Sequence, residues 1–223
     1  MPDAPATTRF HLIRHGRVDE AWHGRIYGDL DVPLAPEGRE EARRIAAVLA
    51  GTTFDAVVSS GLARAEFGAA ALREGRGLPR SDEPRLREIS RGEWAGLTFE
   101  ELDERQPGAF AAWLADPSQR PPGGESLDDV AARVVPPIEE LARARAGAQL
   151  GVVCHSWVAR VLACRALGLP PTSATRMDLP TAGNVVVDWP SGAVPGLRPT
   201  LVGFAVDIPP ARGVRWFRGP NRS

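Results

Sequence analysis

Phe10-His11-Leu12-Ile13-Arg14-His15-Gly16 is the stretch on which the fold turns. Four strand-forming, mainly apolar residues run straight into an arginine, a histidine and a glycine. So short an apolar run reads as a strand buried on both faces, ending where the polar residues begin. Two other segments repeat the pattern. Asp55-Ala56-Val57-Val58-Ser59 leads to Ser60, with Arg64 four residues further on, and Gln149–Cys154 leads to His155-Ser156. Helical patterns fill the space between. Residues 39–50 carry Ala42, Ile45, Ala46 and Leu49 on one stripe, with Pro36 placed for a first turn. Residues 62–72 form a second helix, and residues 99–114 a third, broken by Pro107-Gly108. Ser126 with Asp129 three residues on makes a capping box. The helix it opens runs to about Arg145, and Pro136-Pro137 should kink or split it. Residues 158–167 are helical up to Gly168 and Pro170. Residues 185–189 and 200–206 read as a closing strand pair around a Pro/Gly-rich turn.

Buried strands alternating with helices predict a single α/β domain, a three-layer α/β/α sandwich around a mostly parallel sheet. No repeat or inter-domain linker interrupts residues 1–223. The core is expected over residues 10–206, with residues 1–9 and 209–223 as loose ends.

The chain has 223 residues, 43% apolar and 25% charged, with a net charge of -1, which is the balance of a soluble globule. That balance argues against nucleic-acid or anionic-membrane partners that read bulk charge. No apolar run nears the roughly 18 residues of a membrane helix, and residues 1–9 do not read as a signal peptide. Cys154 and Cys164 both sit in apolar runs, so no disulfide framework is expected and a reducing cytoplasm is the default setting. All 27 basic residues are Arg. Without lysine there is neither a Schiff base nor a Walker-type phosphate loop.

In α/β sheets, ligands sit beyond the carboxyl ends of the strands. The three strands deliver Arg14 and His15, then Ser60 with Arg64, then His155, beside two helix N-termini whose backbone N–H groups are free. Two guanidiniums, two imidazoles and helix-end donors together suit a phosphate dianion. His11, inside a strand, and His23, in a loop, read as structural.

These residues resemble the histidine phosphatase superfamily, the phosphoglycerate mutase-like family. Its hallmark Arg-His-Gly triplet is present as Arg14-His15-Gly16. The resemblance continues through Gly24-Arg25-Ile26-Tyr27-Gly28, Asp31-Val32-Pro33-Leu34-Ala35-Pro36-Glu37-Gly38 and Ser59-Ser60-Gly61-Leu62-Ala63-Arg64-Ala65. Leu86-Arg87-Glu88, Gly92-Glu93-Trp94-Ala95-Gly96, Pro122-Gly123-Gly124-Glu125-Ser126 and Val152-Val153-Cys154-His155 complete it. The resemblance implies a phosphomonoester hydrolase working through phosphohistidine on a small phosphorylated metabolite, with no cofactor and no metal. It makes His15 the nucleophile, Arg14, Arg64 and His155 the phosphoryl-binding groups, and Glu88 the proton donor to the leaving oxygen. Read from the residues alone, Glu88 belongs to a charged run with Glu83, Arg85, Arg87, Arg91 and Glu93, which resembles a solvated face.

Ala21 stands where the family often has Asn, Gly68 where Thr is frequent, and Ser156-Trp157 where Gly-Gly is common. Arg17-Val18 replaces the frequent Glu-Thr. The stretch at residues 97–125 is short and has only Arg105 and Arg120 as cations, which points to a phosphatase rather than a mutase. Val18-Asp19, Tyr27-Gly28 and Asp31-Val32-Pro33-Leu34 are similar to the α-ribazole phosphatases and to broad phosphatases. Two alternatives remain: mutase-type phosphoryl transfer, and a weakly active phosphate-binding or interaction protein with the same fold.

Overall fold

Six strands form one sheet in the order β3-β2-β4-β1-β5-β6, and that order brings the three polar strand ends together. The computed structural model describes residues 7–192 and 197–205. Strand β1 (Thr7–Arg14) is central, between β4 (Gln149–Cys154) and β5 (Asn184–Pro190). It is parallel to β4, which is parallel to β2 (Ala56–Ser59) and, through it, to β3 (Arg80–Asp82). β5 and β6 (Thr200–Gly203) close the other edge antiparallel.

Side-chain alternation along the strands divides the interior into two layers. Phe10, Leu12, Val58, Leu150 and Val152 face α5 (Leu127–Ala144) and α6 (Ser156–Leu167), with Leu102 of α3 (Phe99–Arg105) and Trp113 of α4 (Ala109–Ala115) at their border. Ile13, Val57 and Val153 face α1 (Pro36–Val48) and α2 (Ala63–Arg73) through Ile45, Ala65, Ala69 and Leu72. The predicted α/β/α sandwich is therefore the observed one.

Several boundaries differ from the sequence reading for identifiable reasons. β1 begins at Thr7, taking in residues assigned to a loose end. Thr8 is buried, its hydroxyl donates to the carbonyls of Ala142 and Arg145, and Arg9 pairs with Asp188. β3 carries no hydrophobic signal because all three of its residues are exposed at the sheet edge. Pro136-Pro137 do not split α5, which continues for 18 residues. Each interior proline costs a helix about 3 kcal/mol. Full burial of Val130, Val134 and Ile138, about 1.5–3 kcal/mol apiece, is of the same size and keeps the helix on the sheet. Both capping residues of α5 act as expected, Ser126 accepting from the Asp129 N–H and Asp129 from the Ser126 N–H. Of the residues predicted as loose or as the end of the last strand, 1–6 and 206–223 lie outside the described part.

Two glycines fix the turn after β1. A Cβ on Gly16 would come within 2.0 Å of the Gly38 carbonyl oxygen, and one on Gly38 within 1.9 Å of the Arg17 carbonyl oxygen. The loop after β1 thus lies directly against the start of α1, with no room for a side chain between. Gly68 has a related role on α2, where a Cβ would meet Val153 of β4 at 2.9 Å. The helix that presents Arg64 rests on the sheet at that point.

Gly38→Ala should destabilise the protein by about 1–3 kcal/mol through overpacking. Gly51→Ala, where an added Cβ meets nothing within 4 Å, should stay within about 0.5 kcal/mol of wild type. Urea midpoints for the two variants test this; equal effects would mean the seam is not tight.

Candidate active site

The parallel register sets Arg14 opposite Cys154 and Ser59 opposite Val153, so the residues that follow emerge side by side. The rings of His15 and His155 lie 5.2 Å apart between centroids. His15 is buried, and its Nδ1 is 2.7 Å from the Gly16 carbonyl oxygen. A carbonyl only accepts, so the proton sits on Nδ1 and the lone pair on Nε2. Burial, reinforced by the Arg64 and Arg14 guanidiniums, holds the ring well below the usual histidine range, against the opposing pull of the Gly16 carbonyl. His15 is therefore a neutral imidazole with an available nucleophilic nitrogen at neutral pH.

His155 is fully buried, with Nε2 2.7 Å from the Ser60 hydroxyl, and burial likewise keeps it neutral. The other nitrogen of the ring, Nδ1, is buried as well. That atom has no hydrogen-bond partner in the fold. Arg64, fully buried on the first turn of α2, gives Nη1 to the Leu30 carbonyl at 2.5 Å and Nη2 to the Gly28 carbonyl at 2.7 Å. Arg14 gives Nη1 to the Leu179 carbonyl at 2.6 Å. In both arginines Nε is buried and unpartnered. Two buried donors, Arg14 Nε and Arg64 Nε, and a buried nitrogen of His155 thus lack partners, and buried polar groups without partners are rare. Phosphoryl oxygens are acceptors of the charge they call for.

Glu88 turns inward from its charged run. Its neighbour Arg85 pairs with Glu83 and with Glu140 at the surface. The Glu88 carboxylate accepts the backbone N–H groups of Ile89 at 3.0 Å and Trp157 at 3.2 Å. Arg133 of α5 secures this loop, its guanidinium donating to the Arg85 and Arg87 carbonyls and pairing with Glu125. Glu125 in turn accepts the Ser90 N–H. The structure therefore brings together all five residues singled out from the sequence.

One expectation is narrowed. At each of the two helix starts one backbone N–H is already taken by a carboxylate of the protein. Ala63 N–H of α2 goes to Asp31 at 2.8 Å, and Trp157 N–H of α6 goes to Glu88. The positive helix end holds whichever anion is nearest, and here that is the protein's own. His11 and His23 are structural, as read: His11 contacts Asn184 and the edge of Phe54, and His23 reaches the Val18 carbonyl. Ala21 is exposed, its N–H taken by Asp19.

Sequence reasoning missed two further arginines. Arg91 is 4% exposed and lies 4.0 Å from the Trp113 ring centroid. Arg160 lies 3.8 Å from that of Trp157 and donates to the carbonyls of Ser156, Ala174 and Met177. Burial pushes each guanidinium down to about 10. Arg160 was detectable as the one cation in the otherwise buried run from Val158 to Cys164. Arg91 was hidden in a charged stretch.

A covered α/β sheet ending in a neutral histidine, a second histidine and two arginines with spare donors is the architecture of a phosphoryl-transfer enzyme. The sequence model of the histidine phosphatase superfamily (branch 1) matches residues 10–196, and the chain belongs to that family. It is 40% identical over 169 residues to a glucosyl-3-phosphoglycerate phosphatase of Mycolicibacterium vanbaalenii, covering 73% of this chain and 75% of the relative. It is 31% identical over 163 residues to the adenosylcobalamin/α-ribazole phosphatase of Escherichia coli, covering 73% and 80%. The solved structure of a mycobacterial glucosyl-3-phosphoglycerate phosphatase superimposes with a TM-score of 0.76 at 34% identity, over 82% of this chain and 90% of that one.

The buried histidines carry a consequence for stability. His15 and His155 are held well below the ordinary range and His11 is lowered to about 4, all chiefly by burial. Below pH ~6.5 the unfolded chain takes up protons that the folded chain refuses. The stability these rings allow above pH ~6.5 is therefore lost as pH falls, by up to about 1.4 kcal/mol per pH unit for each. Urea midpoints at pH 7.5 and pH 5.5 should differ accordingly. A flat profile would mean that the rings are protonated in the fold.

Proposed function

We propose that this chain is a phosphomonoesterase that passes the phosphoryl group of a small phosphorylated metabolite through His15. The observation that carries the reading is the neutral, buried His15, with Nε2 free, beside the unpartnered Nε donors of Arg14 and Arg64 and an unpartnered nitrogen of His155. Nε2 attacks phosphorus, the P–N bond forms, and the P–O bond to the leaving alcohol breaks. Glu88 supplies a proton to the departing oxygen. In the second step Glu88 takes a proton from water, whose oxygen attacks the phosphohistidine, breaks the P–N bond and releases inorganic phosphate. Arg14, Arg64 and His155 stabilise the charge on the equatorial oxygens throughout, which is the work a metal does elsewhere.

The relatives' names describe phosphatases of small metabolites, and the same class of substrate is proposed here. Hydrolysis is favoured over mutase transfer because residues 97–125 bring no second anion-binding pair. Of their two arginines, Arg120 is bound to Asp129 at the surface. Among the described residues no helix is long and apolar enough to cross a membrane. Cys154 and Cys164 are free and buried, which fits the cytoplasmic setting proposed for the chain.

Rapid-quench labelling should trap acid-labile phosphate on the wild type, formed in the presence of a chelator, and none on His15→Ala. His15→Ala should lose at least about a thousandfold in kcat while keeping its fold, since the residue lies beyond the strand end. Activity within tenfold of wild type would remove the nucleophile from His15.

Glu88→Gln separates the proton-transfer role from simple packing. An aryl phosphate has a good leaving group and needs little protonation, whereas an alkyl phosphate depends on it. The variant should lose about 10²–10⁴ in rate on an alkyl ester and much less on p-nitrophenyl phosphate. Equal losses on both substrates would move the acid elsewhere.

A further inference from the structure

Arg91 has the burial of a core residue and the bonding of none. Among the described residues its guanidinium forms no ion pair, and its Nη1 is buried without a hydrogen-bond partner. It lies 4.0 Å from the centroid of Trp113 and 5.5 Å from that of Trp157, and Trp113 meets Trp157 edge-on at 5.2 Å. Two aromatic faces offset part of the desolvation of a cation, but they accept no N–H bond in the guanidinium plane. The carboxylate that acts on it electrostatically is Glu88, and that carboxylate is already held by the N–H groups of Ile89 and Trp157.

Its location decides what it serves. The Arg91 stem packs on Gly28, where a Cβ would come within 2.9 Å of Arg91 Cγ, and the carbonyl of the same Gly28 receives Arg64 Nη2. Arg91 and the phosphoryl-binding Arg64 therefore share one wall. Arg91 stands three residues past Glu88 and against the ring of Trp157, whose N–H holds Glu88. That is the side from which the leaving oxygen is protonated, so the remainder of the leaving alcohol lies there. Burial does not bar access, since His15, Arg64 and His155 are as deeply buried.

We infer that the Arg91 guanidinium receives an anionic group on the leaving alcohol, so that the enzyme selects phosphomonoesters whose alcohol carries a carboxylate. The inference rests on the phosphatase reading and adds the substrate class to it. A monoanion suits the site better than a second phosphate, because Arg91 acts alone. Arg160, on the far side of the Trp157 contact, spends Nε and Nη1 on carbonyl oxygens.

Two nearly matched esters test it, 3-phosphoglycerate and glycerol 3-phosphate, which differ in a carboxylate against a hydroxymethyl group. The wild type should favour the carboxylated ester by at least about tenfold in kcat/KM, mainly through KM, as expected for a hydrogen bond to a charged group. A ratio near or below one overturns the assignment without any variant being made. In Arg91→Met, which keeps the stem against Trp113 and removes the charge, the ratio should fall about tenfold whatever loss the two esters share. Arg91→Lys should fall between Met and wild type. An unchanged ratio in folded Arg91→Met also overturns the assignment. p-Nitrophenyl phosphate separates the two levels. Its hydrolysis without a carboxylate preference sinks Arg91 alone, whereas no turnover of any of the three esters sinks the phosphatase reading and this inference with it.

Discussion

The parallel pairing of β1 with β4, Arg14 opposite Cys154, is the constraint on which the rest of the site depends. Parallel strands end on the same side of a sheet, so two histidines more than a hundred residues apart leave it as neighbours. A slip of one residue would exchange the two faces of β1, moving Leu12 out of one core and Ile13 out of the other. Both cores therefore resist the slip, and the distance between His15 and His155 is set by apolar packing well away from either ring. The same sheet brings Ser60, at the end of β2, to His155, where it orients the imidazole.

Burial then does two opposite things to the groups collected there. It strips the proton from the histidines, because an imidazole titrates near neutrality and the desolvation cost decides the outcome. It leaves the arginines charged, because even a guanidinium lowered to about 10, as Arg160 is, remains protonated at pH 7. The site consequently holds neutral nucleophilic nitrogens within an excess of fixed positive charge. Arg64 reaches two carbonyls from two separate nitrogens and keeps Nε for a third partner. A lysine's single nitrogen cannot reproduce that planar spread, so the guanidinium is needed there for its shape as well as its charge.

Much of this was legible in the chain because it lies at the ends of strong periodic signals. The apolar runs before Arg14, Ser60 and His155 fixed the direction of each strand, and strand direction places the residue after it. β3 was not legible, since Arg80-Ser81-Asp82 is held by backbone bonds to β2 and buries nothing. The continuity of α5 through Pro136-Pro137 was not legible either, because local propensity argues against it and only the tertiary burial of Val134 and Ile138 sustains it. The two carboxylates at the helix starts escaped for a related reason. Asp31 and Glu88 are far from α2 and α6 in sequence, and no spacing rule foretells that they arrive there.

Glu88 and Arg91 show why a charged run cannot be sorted by composition. From Glu83 to Glu93, exposed and buried charges alternate without a regular period, since the backbone passes through two short 3₁₀ turns and no long element. What turns Glu88 inward is a set of contacts from another part of the chain. Arg133 binds the carbonyls on either side of Leu86, Glu125 takes the Ser90 N–H, and Gly92 lies so close to Pro122 that a Cβ would come within 2.1 Å of its carbonyl oxygen. The Pro122-Gly123-Gly124-Glu125 segment therefore acts as a mould for the loop that carries Glu88. Gly124 is required by the loop's close approach, Gly123 by its positive φ of 69°, and Glu125 by the loop's backbone and by Arg133. The position of Glu88 is thus a property of α5 and the turn before it, and damage there should displace Glu88 without touching any residue beside it.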